Sequence, residues 1–271
     1  MPRTVTINTV QGIGDIFWVY QKLAPYFDII NITVFCVGLT AVQTRAKTFC
    51  KMLPKVGAVE YRQVPDAVYH QLARTRFKLA DVLASNGAVN YAVNAPLEIG
   101  IKLRDIDPGS QIEEFVDLGL SSQIQRTDHL CVFVAGASGN AVWTTQQWLV
   151  AIKKFAERLQ TRNIDLIGAE WDKAAQAAIL AGLGGYHVTN HVGGLGLAES
   201  VNVIRNSRFF IGFQSGLSVI ADNYDVPQLM LYFKKLEPML YTWCKPSNIK
   251  TKFFAATFAD DITQILACVR S

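Results

Sequence analysis

The stretch Arg208-Phe-Phe-Ile-Gly-Phe-Gln-Ser-Gly-Leu-Ser218 joins an apolar run to a group of small residues. Its first part is typical of a buried strand, and the residues from Ser215 to Tyr224 are typical of a helix. The amide groups of a helix's first turn have no acceptor within the helix, so they attract anions. The stretch therefore predicts either a diphosphate site or a plain helix cap at Ser215. The residues of the predicted site are Gln214, Ser215, Gly216 and Ser218.

Apolar runs alternate with helical stretches on both sides of this segment. The pattern is interrupted between residues 66 and 117 and starts again near residue 126. The alternation predicts an α/β fold with two Rossmann-like, doubly wound domains that face each other across a cleft. The predicted domains are residues 1–125 and 126–271, and a helix predicted from Asp260 to Val269 could cross back onto the first domain. Predicted strands are 4–8, 30–37, 58–61, 130–135, 164–168, 186–188, 208–212 and 226–232.

Glycine-rich turns follow several of these strands, where ligands bind in doubly wound sheets. The turn Gly12-Ile-Gly-Asp15 opens a helix, so Asp15 is either a helix-capping carboxylate or a general base. The turn Gly136-Ala-Ser-Gly-Asn140 is either a phosphate cradle or an ordinary loop. Gly193-Gly-Leu-Gly196, with His191, could line a nucleotide base or be only a connection.

Composition excludes several classes of protein. Half of the 271 residues are hydrophobic, but no apolar run is long enough to span a membrane. The N-terminus lacks the pattern of a signal peptide, so we expect a cytoplasmic protein. Scattered histidines and an odd number of widely spaced cysteines predict reduced thiols and no metal site. The cysteines are Cys36, Cys50, Cys131, Cys244 and Cys268.

A net charge of +4 suits an anionic ligand and permits nucleic-acid binding. Basic residues lie among aromatic ones at 74–78 and at 234–252. Such mixtures can contact a phosphate backbone and stack on bases, although a solvated helix face explains residues 74–78 equally well.

Three motifs resemble those of two-lobed GT-B glycosyltransferases, and most closely the ADP-heptose heptosyltransferase family. The first is Gly14-Asp15 with Pro25 ten residues later, and the second is the pair Trp143 and Trp148. The third combines Leu197-Ala-Glu199 with Ile211-Gly-Phe-Gln-Ser-Gly216 and Ala221. Together they cover most of residues 126–235 and about thirty N-terminal residues.

The resemblance implies an inverting glycosyltransferase that uses no metal and no cofactor, with a nucleotide-diphosphate sugar as its donor. Asp15 would be the catalytic base, and Asp172, with Glu170 as the alternative, would contact the donor ribose. The predicted donor site consists of Gly136, Ser138, Gly139, Asp172, Gly194, Gln214, Ser215, Gly216 and Ser218. The predicted acceptor site consists of Gly12, Gly14, Asn94 and Glu98. The acceptor is either an envelope saccharide or a hydroxymethylpyrimidine in DNA, and a non-catalytic nucleotide- or nucleic-acid-binding module is the alternative.

Overall fold

The structure is a computed structural model of the chain. It describes residues 3–14, 16–17, 20, 30–39, 44–53, 56–65, 67, 123–134, 143–213, 215–231 and 252–255. The chain divides into two compact units, Met1–Ser121 and Ser122–Ser271, whereas the sequence placed the division between residues 125 and 126. No helix in the described ranges combines the length and the apolar character that a membrane crossing requires.

The first unit contains a parallel sheet with the strand order β1-β2-β3. Its elements are β1 (Arg3–Val10), β2 (Ile30–Leu39), α1 (Thr44–Cys50) and β3 (Val56–Gln63). Directly after β1, the amide of Ile16 donates to the carbonyl of Gly12 at 2.9 Å and closes a helical turn. Ile16 and Phe17 are fully buried, and the ring of Phe17 packs edge-on against Phe49 of α1. The glycine turn therefore lies at the carboxyl end of β1, as the sequence predicts.

The second unit contains a parallel sheet of six strands. Its strands are β4 (Leu130–Phe133), β5 (Asn163–Ile167), β6 (His187–Asn190), β7 (Phe209–Phe213), β8 (Gln228–Leu231) and β9 (Lys252–Ala255). Its described helices are α2 (Thr145–Arg158), α3 (Lys173–Gly182), α4 (Leu197–Asn206) and α5 (Gly216–Asn223), and a short 3₁₀ turn lies at Glu170–Asp172. The strand order is β6-β5-β4-β7-β8-β9, the order of a doubly wound nucleotide-binding sheet.

Alternating residues of these strands build one large core. Leu130, Ile164 and Phe209 point to the face that also receives Trp148 and Phe155 of α2. The ring of Phe155 lies 5.1 Å from that of Phe209, between centroids. This packing fixes α2 across the middle of the sheet, so the strand ends on either side of β4 are held in place.

Several local predictions need correction. The sequence from Trp171 to Leu183 has a helical pattern, but it begins with a 3₁₀ turn, and its α-helical part starts only at Lys173. Strand β6 extends to Asn190, two residues beyond its predicted end. Strand β9 was not predicted, because its four residues are preceded by a basic segment that resembles a loop. The predicted helix from Asp260 to Val269 lies outside the described residues.

Candidate functional site

The carboxyl ends of β4 and β7 define the point where the six-stranded sheet reverses direction. From β4 the chain builds outward through β5 to β6, then returns to β7 and builds the other way through β8. Phe133 of β4 is paired with Gly212 of β7 at this position. Loops that leave neighbouring strands in opposite directions open a crevice, and ligands of doubly wound sheets bind there. Ser215 and Gly216 follow β7 directly and lie at this crevice.

Helix α5 begins with a side-chain cap. The Oγ atom of Ser215 accepts a hydrogen bond from the amide of Leu217 at 3.2 Å. Both Ser215 and Gly216 are half-buried, so a ligand can reach them. The other first-turn amides, including that of Gly216, have no acceptor within the helix, and the helix dipole adds a partial positive charge. The hydroxyl of Ser215 can still donate its proton while it caps the helix. This end of α5 can therefore hold an anion.

Ser218 was expected to bind the donor, and the structure corrects that expectation. Its side chain is fully buried, and its hydroxyl donates to the carbonyl of Phe213 at 2.8 Å. The carbonyl of Ser218 in turn accepts from Nε2 of Gln228 at 3.2 Å. The side chain of Ser218 thus holds the turn between β7 and α5 and does not face the crevice.

The turn after β5 contains the two acidic residues that the sequence offered for a ribose contact. Asp172 is 3 % exposed, and its Oδ2 atom accepts from the amide of Ala169 at 2.9 Å. The Glu170 side chain is 69 % exposed, and its Oε2 atom lies 2.8 Å from Nζ of Lys173. The preference for Asp172 over Glu170 is therefore corrected, because Asp172 closes the turn while Glu170 presents its carboxylate to solvent.

The loop 191–196 lies against this turn. The amide of Gly193 donates to the carbonyl of Gly168 at 2.9 Å, and Gly193 has a φ of 69°. A Cβ atom at Gly193 would lie 2.5 Å from Oε2 of Glu170 and 3.2 Å from its Cα atom. Glycine suits this position, because the backbone is left-handed and a Cβ atom would crowd the Cα atom of Glu170. The exposed Gly194 follows it, and its amide donates to the carbonyl of His191 at 3.1 Å.

Asp165 of β5 is a buried carboxylate that no local sequence motif indicates. Its Oδ2 atom lies 2.8 Å from Nδ1 of His129, and its Oδ1 atom lies 3.3 Å from Nε2 of His191. In the sequence these residues are 36 and 26 positions apart, so only the pairing of β4, β5 and β6 brings them together. The alternation of each strand, combined with the strand order, is the signal that could have found them.

The remaining predicted site residues divide into two groups. Gly12 and Gly14 are half-buried in the turn after β1, in the first unit. The others lie outside the described residues: Asp15, Asn94, Glu98, Gly136, Ser138, Gly139 and Gln214.

The side chains of two of the five cysteines, Cys50 and Cys131, are described, and both are buried free thiols. Burial raises the pKa of Cys50 to about 12, and the hydrogen bond with Tyr61 opposes this in part. Burial, together with the charge of Asp165, raises the pKa of Cys131 well above its usual value. Neither thiol can serve as a nucleophile at neutral pH, because the thiolate is the reactive form.

Residues 62–244 match the model of glycosyltransferase family 9, the heptosyltransferase family. The chain belongs to glycosyltransferase family 9. The match covers the second unit through β8 and includes the turns after β5, β6 and β7. The resemblance to the heptosyltransferase family is thereby confirmed, and the match contains the tryptophan pair and the Ser-Gly helix start.

Solved structures of family members share the fold. E. coli ADP-heptose LPS heptosyltransferase II is 14 % identical, with 99 % of this chain and 97 % of that chain covered, at a TM-score of 0.56. The family 9 glycosyltransferase of Veillonella parvula is 10 % identical, with 99 % and 94 % covered, at 0.59. E. coli heptosyltransferase WaaC with ADP is 11 % identical, with 97 % of both chains covered, at 0.57. Comparison with curated protein sequences finds no match. The fold is therefore that of the GT-B glycosyltransferases.

Proposed function

We propose that this chain transfers a sugar from a nucleoside-diphosphate donor to a hydroxyl group of an acceptor. Membership of glycosyltransferase family 9 supports the reaction class. The observation that carries the proposal is the capped start of α5 at the reversal point of the sheet, where Ser215 and Gly216 can receive a diphosphate.

The donor is proposed to lie along the carboxyl ends of β5, β6 and β7. The start of α5 would bind the diphosphate, and the exposed carboxylate of Glu170 would accept hydrogen bonds from the ribose hydroxyls. The backbone at Gly194 would line the base. Gly136, Ser138, Gly139 and Gln214 stay proposed donor contacts on the sequence argument alone. ADP is the first nucleotide to test, because WaaC is a family relative whose structure holds ADP.

In the proposed mechanism, Asp15 removes the proton of the acceptor hydroxyl as its oxygen attacks the anomeric carbon. The bond from the anomeric carbon to the diphosphate oxygen breaks in the same step, so the configuration inverts. The start of α5, with roughly half an elementary charge from the helix dipole, would stabilise the leaving diphosphate without a metal ion. Gly12, Gly14, Asn94 and Glu98 are the proposed acceptor contacts.

The acceptor we favour is a saccharide, since E. coli heptosyltransferase II, a family relative, is named for lipopolysaccharide. A hydroxymethylpyrimidine in DNA stays the second prediction, and it rests on the net charge of +4 and on the basic segments. DNA binding that weakens steeply with salt would favour DNA, because phosphate contacts release counterions.

The test of the proposed function replaces Asp15 with Asn, a substitution of nearly equal size. Turnover should fall by at least about a hundredfold, the lower end of general-base effects, while ADP affinity stays within about twofold. Slow hydrolysis of the donor without acceptor would separate an enzyme from a non-catalytic binding module. Near-normal transfer by the Asp15→Asn variant would refute the role of Asp15.

A further inference from the structure

Three polar side chains lie on a diagonal line across one face of the second sheet. The register pairs Cys131 of β4 with Asp165 of β5, and Asp165 with Thr189 of β6. His129 lies two residues before Cys131, and His191 lies two residues after Thr189. Because side chains alternate along a strand, all three polar residues lie on the same face. Asp165 on the middle strand is therefore flanked by a histidine on each side.

The carboxylate at the centre of this line is shielded, and imidazoles are its partners. The Asp165 side chain is 10 % exposed, while those of His129 and His191 are 34 % and 22 % exposed. A carboxylate accepts hydrogen bonds, and Nδ1 of His129 and Nε2 of His191 are the ring nitrogens that face the oxygens of Asp165. Hydrogen bonds to a charged group are stronger than neutral ones.

His191 connects this carboxylate to the loop 191–196. Its own amide donates to the carbonyl of Leu166 at 2.8 Å, so the residue is fixed at both its backbone and its ring. Two residues later, the amide of Gly193 donates to the carbonyl of Gly168 at 2.9 Å, at the start of the turn that carries Glu170. A shift of His191 would therefore move Gly193 away from Glu170.

We propose that Asp165 is a positioning residue of the donor site, which acts through His191 to hold the loop 191–196 against Glu170. The bond to His129 fixes the carboxylate from the other side and does not reach the loop. Within the described ranges, no cluster of three or more His, Cys, Asp and Glu side chains has the arrangement of a metal site. The consequence for donor binding rests on the proposed function, whereas the anchoring of the loop does not.

The test compares two variants that each remove one ring donor from the same carboxylate. In His191→Phe, the amides of Gly193 and Gly194 should exchange hydrogen about tenfold faster, the effect of losing about 1.4 kcal/mol. The dissociation constant of ADP should rise about tenfold, while kcat at saturating donor changes less than twofold. The thermal stability of His129→Phe should fall at least as much as that of His191→Phe, because the hydrogen bond from His129 to Asp165 is the shorter of the two. Loop exchange and ADP affinity should nevertheless stay within twofold in this variant.

A third variant tests the carboxylate itself. Asp165→Ala should loosen the loop as His191→Phe does, and adding Asp165→Ala to His191→Phe should cause little further loosening. The control is Asp128→Asn, at an exposed residue that accepts a hydrogen bond from Asn163. Hydrogen exchange in the loop 191–196 should be unchanged in this variant.

The outcomes separate the two levels of the proposal. Equal loosening of the loop by His129→Phe and His191→Phe would overturn the anchor, since the effect would then be general destabilisation. Faster loop exchange with unchanged ADP affinity would overturn the role in donor binding. If the natural protein binds neither ADP nor UDP, the proposed donor site fails, while hydrogen exchange still decides the anchor.

Discussion

Two serines in the first turn of α5 offer the sharpest test of the donor site. Ser215 caps the helix from the crevice side, whereas Ser218 donates into the strand–helix turn from a fully buried position. The two residues are three positions apart, and each makes one hydrogen bond to the backbone. We expect Ser215→Ala and Ser218→Ala both to destabilise the protein, but only Ser215→Ala to weaken nucleotide binding.

The magnitudes follow from the environment of each hydroxyl. Ser215→Ala removes a helix cap, which costs about 1 kcal/mol of unfolding free energy. It also removes a hydroxyl that would donate to a charged phosphate, a loss of about 1.5–3 kcal/mol, or roughly 10- to 100-fold in the dissociation constant of ADP. Ser218→Ala leaves the Phe213 carbonyl without this donor in the interior, which costs about 1–3 kcal/mol of stability. Because Ser218 faces away from the crevice, ADP affinity should change less than about twofold, or 0.4 kcal/mol.

Urea unfolding gives the stability of each variant, and calorimetric titration with ADP gives its affinity. If Ser218→Ala weakens ADP binding as strongly as Ser215→Ala does, the placement of Ser218 as a structural residue is refuted. If Ser215→Ala lowers stability by the expected amount without any effect on ADP, Ser215 is only a helix cap. Both measurements are needed, since a loss of affinity in a partly unfolded variant would be misread as a lost contact.

Two glycines give further predictions. Gly193→Ala should weaken ADP binding about tenfold, because the left-handed backbone costs an alanine roughly 1–2 kcal/mol and the new Cβ atom would push against Glu170. The control is Gly184→Ala, where the space around the new Cβ atom is open. Equal ADP affinity in both variants would contradict the reasoning. Gly212→Ala should lower the unfolding free energy by about 1–3 kcal/mol, since its Cβ atom would lie 2.7 Å from the ring of Phe210 in the middle of the sheet. If urea unfolding shows a change below about 0.5 kcal/mol, the ring of Phe210 moves aside and the predicted clash is wrong.

Local sequence signals were sufficient for most elements of the second unit. The sequence predicts a helix over Leu197–Asn206, and the helix has these ends. It offers Thr144 or Thr145 as the cap of α2, and the cap is Thr144, with Gln147 completing a capping box. These features depend on residues within one turn of each other, so their physical cause is present in the sequence itself. The doubly wound order of the second sheet followed from the alternation of strands and helices, because few connections are available to such a chain.

The direction in which a side chain points at the site could not be predicted in the same way. Glu170 and Asp172 are two residues apart, and only the 3₁₀ turn decides that the second is buried. Ser218 looked like part of a phosphate site because it follows Ser215 and Gly216, yet one turn of helix carries it to the interior. The line from His129 through Asp165 to His191 requires the order and register of three strands, which no local pattern contains.

The described part of the proposed donor site consists mainly of backbone groups, and such a site can persist at low sequence identity. The start of α5 offers amide groups, Gly193 offers a close approach, and the capping hydroxyl of Ser215 is neutral. Every residue except proline supplies a backbone N–H group, so substitution at most positions leaves these donors in place, provided that the strand ends keep their arrangement. An identity of 14 % at a TM-score of 0.56 to heptosyltransferase II is compatible with such a site. The positions that cannot vary freely are then those that fix the backbone, such as Gly193 and the Asp165–His191 anchor.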